Sequence, residues 1–479
     1  MNYRMIARVL GWILLIYAGL MLLPLCAALW YGESALNFIL AAGCTAALGC
    51  VLLLPKPQNT GLVARDGFVI VGLGWIFISL LGALPFVFSG SIPRYVDALF
   101  ETASGLSTTG ATVVTDIEGM PRGDMFWRLF THWIGGMGVL VFLMAVLPMS
   151  GEHSMHIMRA EIPGPSVGKL VPRAKKTARV LYLIYIGLTL SETCLLLCGG
   201  MSFYEALLHS FSTAGTGGFS TNAASIGGFH SAYIETVITV FMFLFGVNFN
   251  LYFLILIGHG KEALKNEELH WYLGIIFGAV LLLTLGTRKI FGSFGAALHQ
   301  AFFNVGALLS TTGFGTVDFT DWPEYCKWIL MLLMFCGGCA GSTGGGIKLS
   351  RVLILGKSEI AEIRQMIRPR SVVRVQMDGK RVERSTVQAT ATFFILYMGL
   401  LLLFSLLVSF DGVDIATGFT AALSCLSNIG PGMTRAIGPA GSFAFFSDRT
   451  KLLLTMAMLM GRLEIYPILV LLSPRTWKR

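Results

Sequence analysis

Apolar stretches of roughly twenty residues recur along the chain, and the polar or glycine-rich breaks between them set the predicted elements. A stretch of that length matches a hydrocarbon core about 30 Å thick, so each is read as a membrane-crossing helix. Two come first, at about 9–30 and 36–54. The first is too long for a signal-peptide core and a second span follows it, so it is kept as a helix. A fixed order then repeats: a long outer segment, a half-length segment, a polar loop and a long inner segment. The outer segments fall at about 68–89, 179–199, 270–288 and 390–410. The half-length segments fall at about 95–106, 203–211, 295–309 and 414–426, and the inner ones at about 125–148, 231–258, 325–356 and 450–473. The pattern predicts ten full crossings with both termini on the same side.

Composition agrees. Mean hydropathy is +0.73 and only 13% of residues are charged, against about 25% in a soluble domain. The 56 glycines suit close packing of membrane helices through small residues. Charge then orients the chain. Of 35 Lys and Arg, 25 lie in 1–8, 55–67, 150–179, 259–270, 347–389 and 474–479, the termini and the joints between repeats. Nine lie on the side of the polar loops, and Arg462 sits inside an apolar segment. The positive-inside rule therefore places both termini in the cytoplasm and the polar loops outside. The net charge of +9 mostly reflects this orientation and gives no support to a nucleic-acid partner. Nine cysteines lie in or near apolar segments without a secreted disulfide pattern, so they read as small packing residues.

The four loops share a motif of Ser, then Thr or Asn, any residue, and Gly: Ser107–Gly110, Ser212–Gly215, Ser310–Gly313 and Ser427–Gly430. Each copy follows a segment too short to cross a bilayer. Irregular backbone at membrane depth is tolerated only where it lines a cavity or pore. A dehydrated cation regains its lost hydration energy from oxygens on all sides, which four re-entrant loops with glycine-freed carbonyls supply. The half-length helices point their C-terminal dipole ends toward that cation. The expected filter residues are Thr108, Thr109 and Gly110; Thr213, Ala214 and Gly215; Thr311, Thr312 and Gly313; and Asn428, Ile429 and Gly430. In the second loop Gly217 and Gly218 follow Gly215 closely, which leaves its register open by two or three residues. The fold class is an all-α polytopic membrane protein. Four pseudo-symmetric helix–pore-loop–helix repeats surround one pore, with two extra N-terminal transmembrane helices. The divisions are 1–66, the N-terminal helices; 67–150, repeat one; 151–262, repeat two with a basic linker; 263–357, repeat three; and 358–479, a basic linker and repeat four.

Along its whole length the chain resembles the TrkH/TrkG-type bacterial potassium uptake family, in the superfamily that also holds KtrB and the plant HKT transporters. The motifs are Ser107–Thr112 (STTGAT), Trp133–Gly138 (WIGGMG), Gly215–Thr221 (GTGGFST), Thr311–Thr316 (TTGFGT), Gly341–Lys348 (GSTGGGIK), Asn428–Gly432 (NIGPG) and Gly461–Glu464 (GRLE). His132 stands before WIGGMG where the family pattern leads one to expect Gln. The resemblance implies an inner-membrane pathway for K+, a homodimer of such pores, and a cytosolic ring of nucleotide-binding RCK subunits of the TrkA type. It also implies a critical glycine in each filter. A serine at the first such position goes with sodium preference in HKT relatives, so Gly110 points to potassium.

Within the third inner segment, Gly337–Gly346 is too glycine-rich for an uninterrupted helix. It is either a kink for close packing or an unwound gate beneath the filter, centred on Gly341, Ser342, Thr343, Gly344, Gly345 and Gly346. A phosphate-loop reading fails, because Ile347 and Leu349 stand where glycine and a hydroxyl residue are needed and no strand precedes. Arg462 is a costly intramembrane charge. The resemblance implies that it faces the pore and holds the glycine-rich loop; a salt bridge to another helix, through Glu192, is the alternative. The basic segments Glu161–Arg179 and Ile347–Arg384 serve either as anchors to anionic membrane lipid or as docking surfaces for the cytosolic subunit. A gated K+ pathway and a K+/H+ or K+/Na+ symporter both remain open. An enzyme is not expected, since no metal-ligand cluster, His-E-x-x-H, G-x-S-x-G or intramembrane Asp pair is present, and no organic cofactor site is visible.

Overall fold

The computed structural model describes residues 1–55, 62–138, 174–370 and 374–477, and it is helical almost throughout. Among the described residues six helices are long and apolar enough to cross a membrane: Tyr3–Trp30, Leu36–Leu53, Arg65–Ser89, Ala178–Cys198, Glu267–Phe291 and Arg384–Asp411. These are the two N-terminal helices and the four outer helices. Residues 161–173 of the basic segment Glu161–Arg179 lie outside the described residues. So does the predicted continuation of the first inner helix past Gly138.

The pore helices are Tyr95–Leu106, Phe203–Gly215, Phe294–Leu309 and Ile415–Ser427. Three begin at a side-chain cap: Ser202 accepts from the Glu205 N–H, Ser293 from the Ala296 N–H and Asp414 from the Thr417 N–H. Each cap satisfies a donor that the first turn leaves without a partner. Hydrogen bonds from Thr417 hold the Asp414 carboxyl below the usual carboxylate range.

Among the described residues, the second, third and fourth inner segments do not run as one helix. The first is Arg122–Gly136, followed by Gly138 at φ +78°. The second is Ala232–Phe245 and Phe249–Leu256, which meet at 88°. The third stops at Phe335 and resumes as Leu349–Ile367. The fourth, Asp448–Arg462, gives way at Glu464 and Ile465, both at positive φ, before Tyr466–Leu472. The continuous second and fourth inner helices expected from hydropathy are therefore corrected, whereas the third breaks at the glycine-rich segment as expected. Apolar content set their length, but the second, third and fourth lose helical hydrogen bonding partway along.

Packing closes the repeats into a ring. Every pore helix touches its own outer helix, its own inner helix and the inner helix of the preceding repeat, and the fourth inner helix packs on the first pore helix. The two N-terminal helices pack together outside this ring, and they cross at glycines. A Cβ at Gly11 would lie 2.8 Å from the Gly49 carbonyl oxygen, and one at Gly49 3.1 Å from that of Gly11. On the side where the third inner helix ends, a short hairpin pairs Gln376–Met377 with Lys380–Arg381. Its Asp378 accepts from the Glu267 N–H at 2.7 Å, tying the hairpin to the start of the third outer helix.

Overpacking a close crossing costs about 1–3 kcal/mol. Gly11→Leu is expected to lower the melting midpoint of the detergent-purified protein by several degrees while uptake per folded molecule stays unchanged. Thermal unfolding followed by tryptophan fluorescence, beside a flux assay, checks both.

Candidate functional site

Each pore helix ends in a residue forced into left-handed backbone, followed two residues later by a left-handed glycine. Thr108 (φ +57°), Thr216 (φ +55°), Thr311 (φ +62°) and Asn428 (φ +55°) precede Gly110 (φ +80°), Gly218 (φ +84°), Gly313 (φ +76°) and Gly430 (φ +102°). A non-glycine residue at positive φ carries strain and persists only where its surroundings over-determine it. Here each Thr or Asn N–H donates to the carbonyl three residues back, in Gly105, Thr213, Leu308 and Cys425. The following N–H reaches five residues back in three loops: Thr109 to Ser104, Gly217 to Ser212 and Ile429 to Ser424.

The four strands close on one another in chain order. A Cβ on Gly110 would collide with the Gly217 carbonyl oxygen, one on Gly218 with that of Thr312, and one on Gly313 with that of Ile429. A Cβ on Gly430 would come within 2.7 Å of the Thr109 oxygen, which completes the circuit. All four glycines line one cavity of about 210 Å³ above the strands.

This geometry corrects the register of the second loop. Thr213, Ala214 and Gly215 belong to the last turn of the pore helix, where the Thr213 hydroxyl back-bonds to the His209 carbonyl at 2.9 Å. Thr216, Gly217 and Gly218 take the position that Thr311, Thr312 and Gly313 hold in the third repeat. The helix continues one turn further than the half-length pattern indicated because nothing stops it before Thr216. The signal was legible: Thr216–Phe219 (TGGF) matches Thr311–Phe314 (TTGF) better than Ser212–Gly215 does. In the first and third loops the structure brings the expected residues together. Ser107 and Thr109 share a hydroxyl bond of 2.7 Å, and Ser310 and Thr312 one of 2.6 Å. In the fourth, the Asn428 amide bridges Thr109 Oγ1 and the Met458 carbonyl, each at 2.9 Å.

Beneath the strands lies the glycine-rich segment. Its neck closes where the Gly337 N–H donates to the Ile347 carbonyl at 2.9 Å. Inside the neck, the Gly345 N–H donates to Thr311 Oγ1 at 2.7 Å, and a Cβ on Gly345 would strike the Ser427 carbonyl. The same segment reaches the break in the second inner helix, since the Gly341 carbonyl accepts from the Phe249 N–H and Thr343 Oγ1 donates to the Phe245 carbonyl. Ser342 lies buried within it, and a Cβ on Gly344 would sit 2.9 Å from the Ser310 carbonyl. Gly346 turns the chain back at φ +66°.

Arg462 joins this segment to the first inner helix. Its guanidinium donates to the Thr343 carbonyl at 2.7 Å, to the Gly136 carbonyl at 2.7 Å and to the Gly135 carbonyl. These are the acceptors that a broken helix leaves open. The alternative partner, Glu192, forms no ion pair with it among the described residues; its carboxylate is buried beside the Thr213 hydroxyl. Glu464 pairs instead with Arg351 through two bonds of 2.9 and 2.6 Å. Sequence reasoning missed two further supports. Lys348 donates to the Gly344 carbonyl, and Glu268 Oε1 accepts the Ala340 and Ser350 N–H groups at 2.8 and 2.9 Å, holding both arms of the loop. No spacing rule links Glu268 to residues more than seventy positions away.

Four re-entrant strands closed around a common axis, with helices broken beneath them, define a membrane protein of the pore-loop class. The chain belongs to the TrkH family of cation transport proteins, which residues 35–479 match. It is 36% identical to the Trk system potassium uptake protein TrkH of Salmonella typhimurium, over the whole of both chains. It is 34% identical to TrkG of Escherichia coli, across all of this chain and 99% of that one. The crystal structure of the potassium transporter TrkH from Vibrio parahaemolyticus superposes with a TM-score of 0.90 at 34% identity, covering all of both chains.

The corrected register makes a direct prediction. Gly218→Ala, which forces a Cβ against the Thr312 carbonyl, is expected to cut cation uptake by more than about tenfold. Thr213→Val, which removes one bond within a helix, is expected to leave uptake near wild type. Tracer uptake normalised to folded protein distinguishes this from the reverse ranking.

Proposed function

We propose that this chain mediates potassium uptake across the bacterial inner membrane, through a filter formed by Thr108–Gly110, Thr216–Gly218, Thr311–Gly313 and Asn428–Gly430. The closed circuit of glycine-to-carbonyl contacts carries this reading. It packs four carbonyl-bearing strands tightly enough that oxygens replace the hydration shell of a dehydrated cation. Glycine in all four loops and the potassium uptake named for the relatives support potassium over sodium. The basic joints between repeats support cytoplasmic termini and outward-facing strands.

The gate in this reading is Gly341–Gly346 with Arg462. The segment lies against filter strands three and four, and Arg462 holds it to the first inner helix. Charge-assisted bonds to carbonyls contribute about 1.5–3 kcal/mol each, so closure has a definite energy for a partner to work against. That partner is a cytosolic nucleotide-binding subunit of the TrkA type, docking on the basic cytoplasmic segments, and the assembled form is a homodimer. Leu349–Ile367 leads directly from the glycine-rich segment, so a pull on that helix reaches the gate without an intermediary.

One observation favours a second reading. The buried Glu192 carboxylate, with no salt-bridge partner among the described residues, is a group that a proton-coupled carrier would use. Tracer K+ uptake into liposomes with a negative interior and no other ion gradient separates the two. Accumulation under voltage alone supports the channel-like pathway. Accumulation only with an imposed proton or sodium gradient means symport.

Arg462→Ala removes three bonds that hold the gate closed. Basal K+ flux without the cytosolic partner is expected to rise by about tenfold or more, the effect of 1.4 kcal/mol. Unchanged or reduced flux at equal folded protein would count against the gate.

A further inference from the structure

The second filter strand differs from the other three in having glycine at its central position, Gly217, as well as at Gly218. Two adjacent glycines leave that backbone the freest of the four. It is held from outside its own repeat. Arg128 and His132 stand four residues apart on the first inner helix and so share a face. The Arg128 Nη1 donates to the Ser220 carbonyl at 3.1 Å, and its guanidinium lies 3.7 Å from the centre of the Phe219 ring.

The His132 ring spans two repeats. Its Nδ1 lies 2.8 Å from the Gly105 carbonyl, which only accepts, so Nδ1 carries the proton. Nε2 is then free to accept from the Phe219 N–H at 3.3 Å. The imidazole also packs against Phe219 with ring centres 4.3 Å apart, and a Cβ on Gly217 would collide with it. Gly217 is therefore the residue that admits His132 to the back of the strand.

Glu101 of the first pore helix makes the arrangement neutral. Its Oε1 accepts from Arg128 Nε at 2.6 Å and from Thr112 Oγ1 at 2.9 Å, and its Oε2 accepts from the Val113 N–H at 2.9 Å. Both charged side chains are almost wholly buried. Arg128 is also the one charged residue among those lining the cavity above the filter, so an unpaired guanidinium there would repel an incoming cation. The pair is not repeated. The positions matching Glu101, seven before each left-handed Thr or Asn, hold His209, Asn304 and Ala421.

We propose that Arg128 and His132, with Glu101 as counter-charge, are positioning residues that set potassium selectivity by fixing the second filter strand. The inference rests on the four-strand filter reading. Loosening this strand lets the carbonyls relax inward around a smaller cation, so sodium is admitted while transport continues.

The test is the ratio of K+ to Na+ uptake in liposomes, with protein normalised by monodisperse yield. Arg128→Lys keeps the charge but loses the fork that serves Glu101 and Ser220 together. It and His132→Leu are each expected to lower the ratio by about tenfold while total cation flux persists. Because breaking one partner of a buried pair risks misfolding, Glu101→Leu with Arg128→Met removes both charges at similar volume. That double variant is expected to fold and to lose selectivity likewise. A ratio held at the wild-type value in these variants, with both fluxes reduced together or unaffected, would overturn the proposal. Gly218→Ser separates this from failure of the underlying reading. If it too leaves the ratio unchanged, the filter assignment itself is wrong; if it alone shifts the ratio, only the positioning role falls.

Discussion

Everything in this fold depends on four strands approaching so closely that no side chain fits between one strand's glycine and the next strand's carbonyl. That approach demands left-handed glycine at Gly110, Gly218, Gly313 and Gly430, and it strains Thr108, Thr216, Thr311 and Asn428 as well. Strained backbone inside a membrane survives only if its polar groups find partners. The pore helices supply them, since their last carbonyls accept the strand N–H groups. The ring in turn fixes the helices, because a pore helix can present its end to the axis only when wedged between two inner helices.

Breaks in the inner segments leave open backbone donors and acceptors under the ring. Charged side chains satisfy them: Arg462 takes carbonyls from the first inner helix and the glycine-rich segment, Lys348 takes another from that segment, and Glu268 takes N–H groups from both of its arms. Intramembrane charges that look isolated along the chain are thus the counterparts of missing helical hydrogen bonds. The glycine-rich segment is tied to its surroundings by a few charge-assisted bonds.

Pseudo-symmetry ends behind the strands. The Glu101–Arg128 pair supports the first and second strands, His209 reaches Ser220 at 3.0 Å, and Gln300 accepts from the Thr316 hydroxyl at 2.6 Å. Backbone geometry is common to the four loops because the close approach of one strand's glycine to the next strand's carbonyl imposes it. The side chains around it need only satisfy local polarity, and each repeat does so differently.

The sequence alone determined the N-terminal, outer and pore helices and the fourfold order, and it located the left-handed strands of the first, third and fourth loops, because apolar segment length and the Ser-Thr-x-Gly pattern are local properties. Tyr95–Leu106, for example, has the bounds its apolar pattern predicted. The tertiary structure decided the second strand's register, since Ser212–Gly215 and Thr216–Gly218 are both glycine-terminated and the likeness of Thr216–Phe219 to Thr311–Phe314 becomes decisive only when Gly218 meets the Thr312 carbonyl. Arg462, Glu464 and Glu268 were likewise undecidable. A buried charge pairs with whatever the fold brings within hydrogen-bond reach, and here those partners lie tens to hundreds of residues away along the chain.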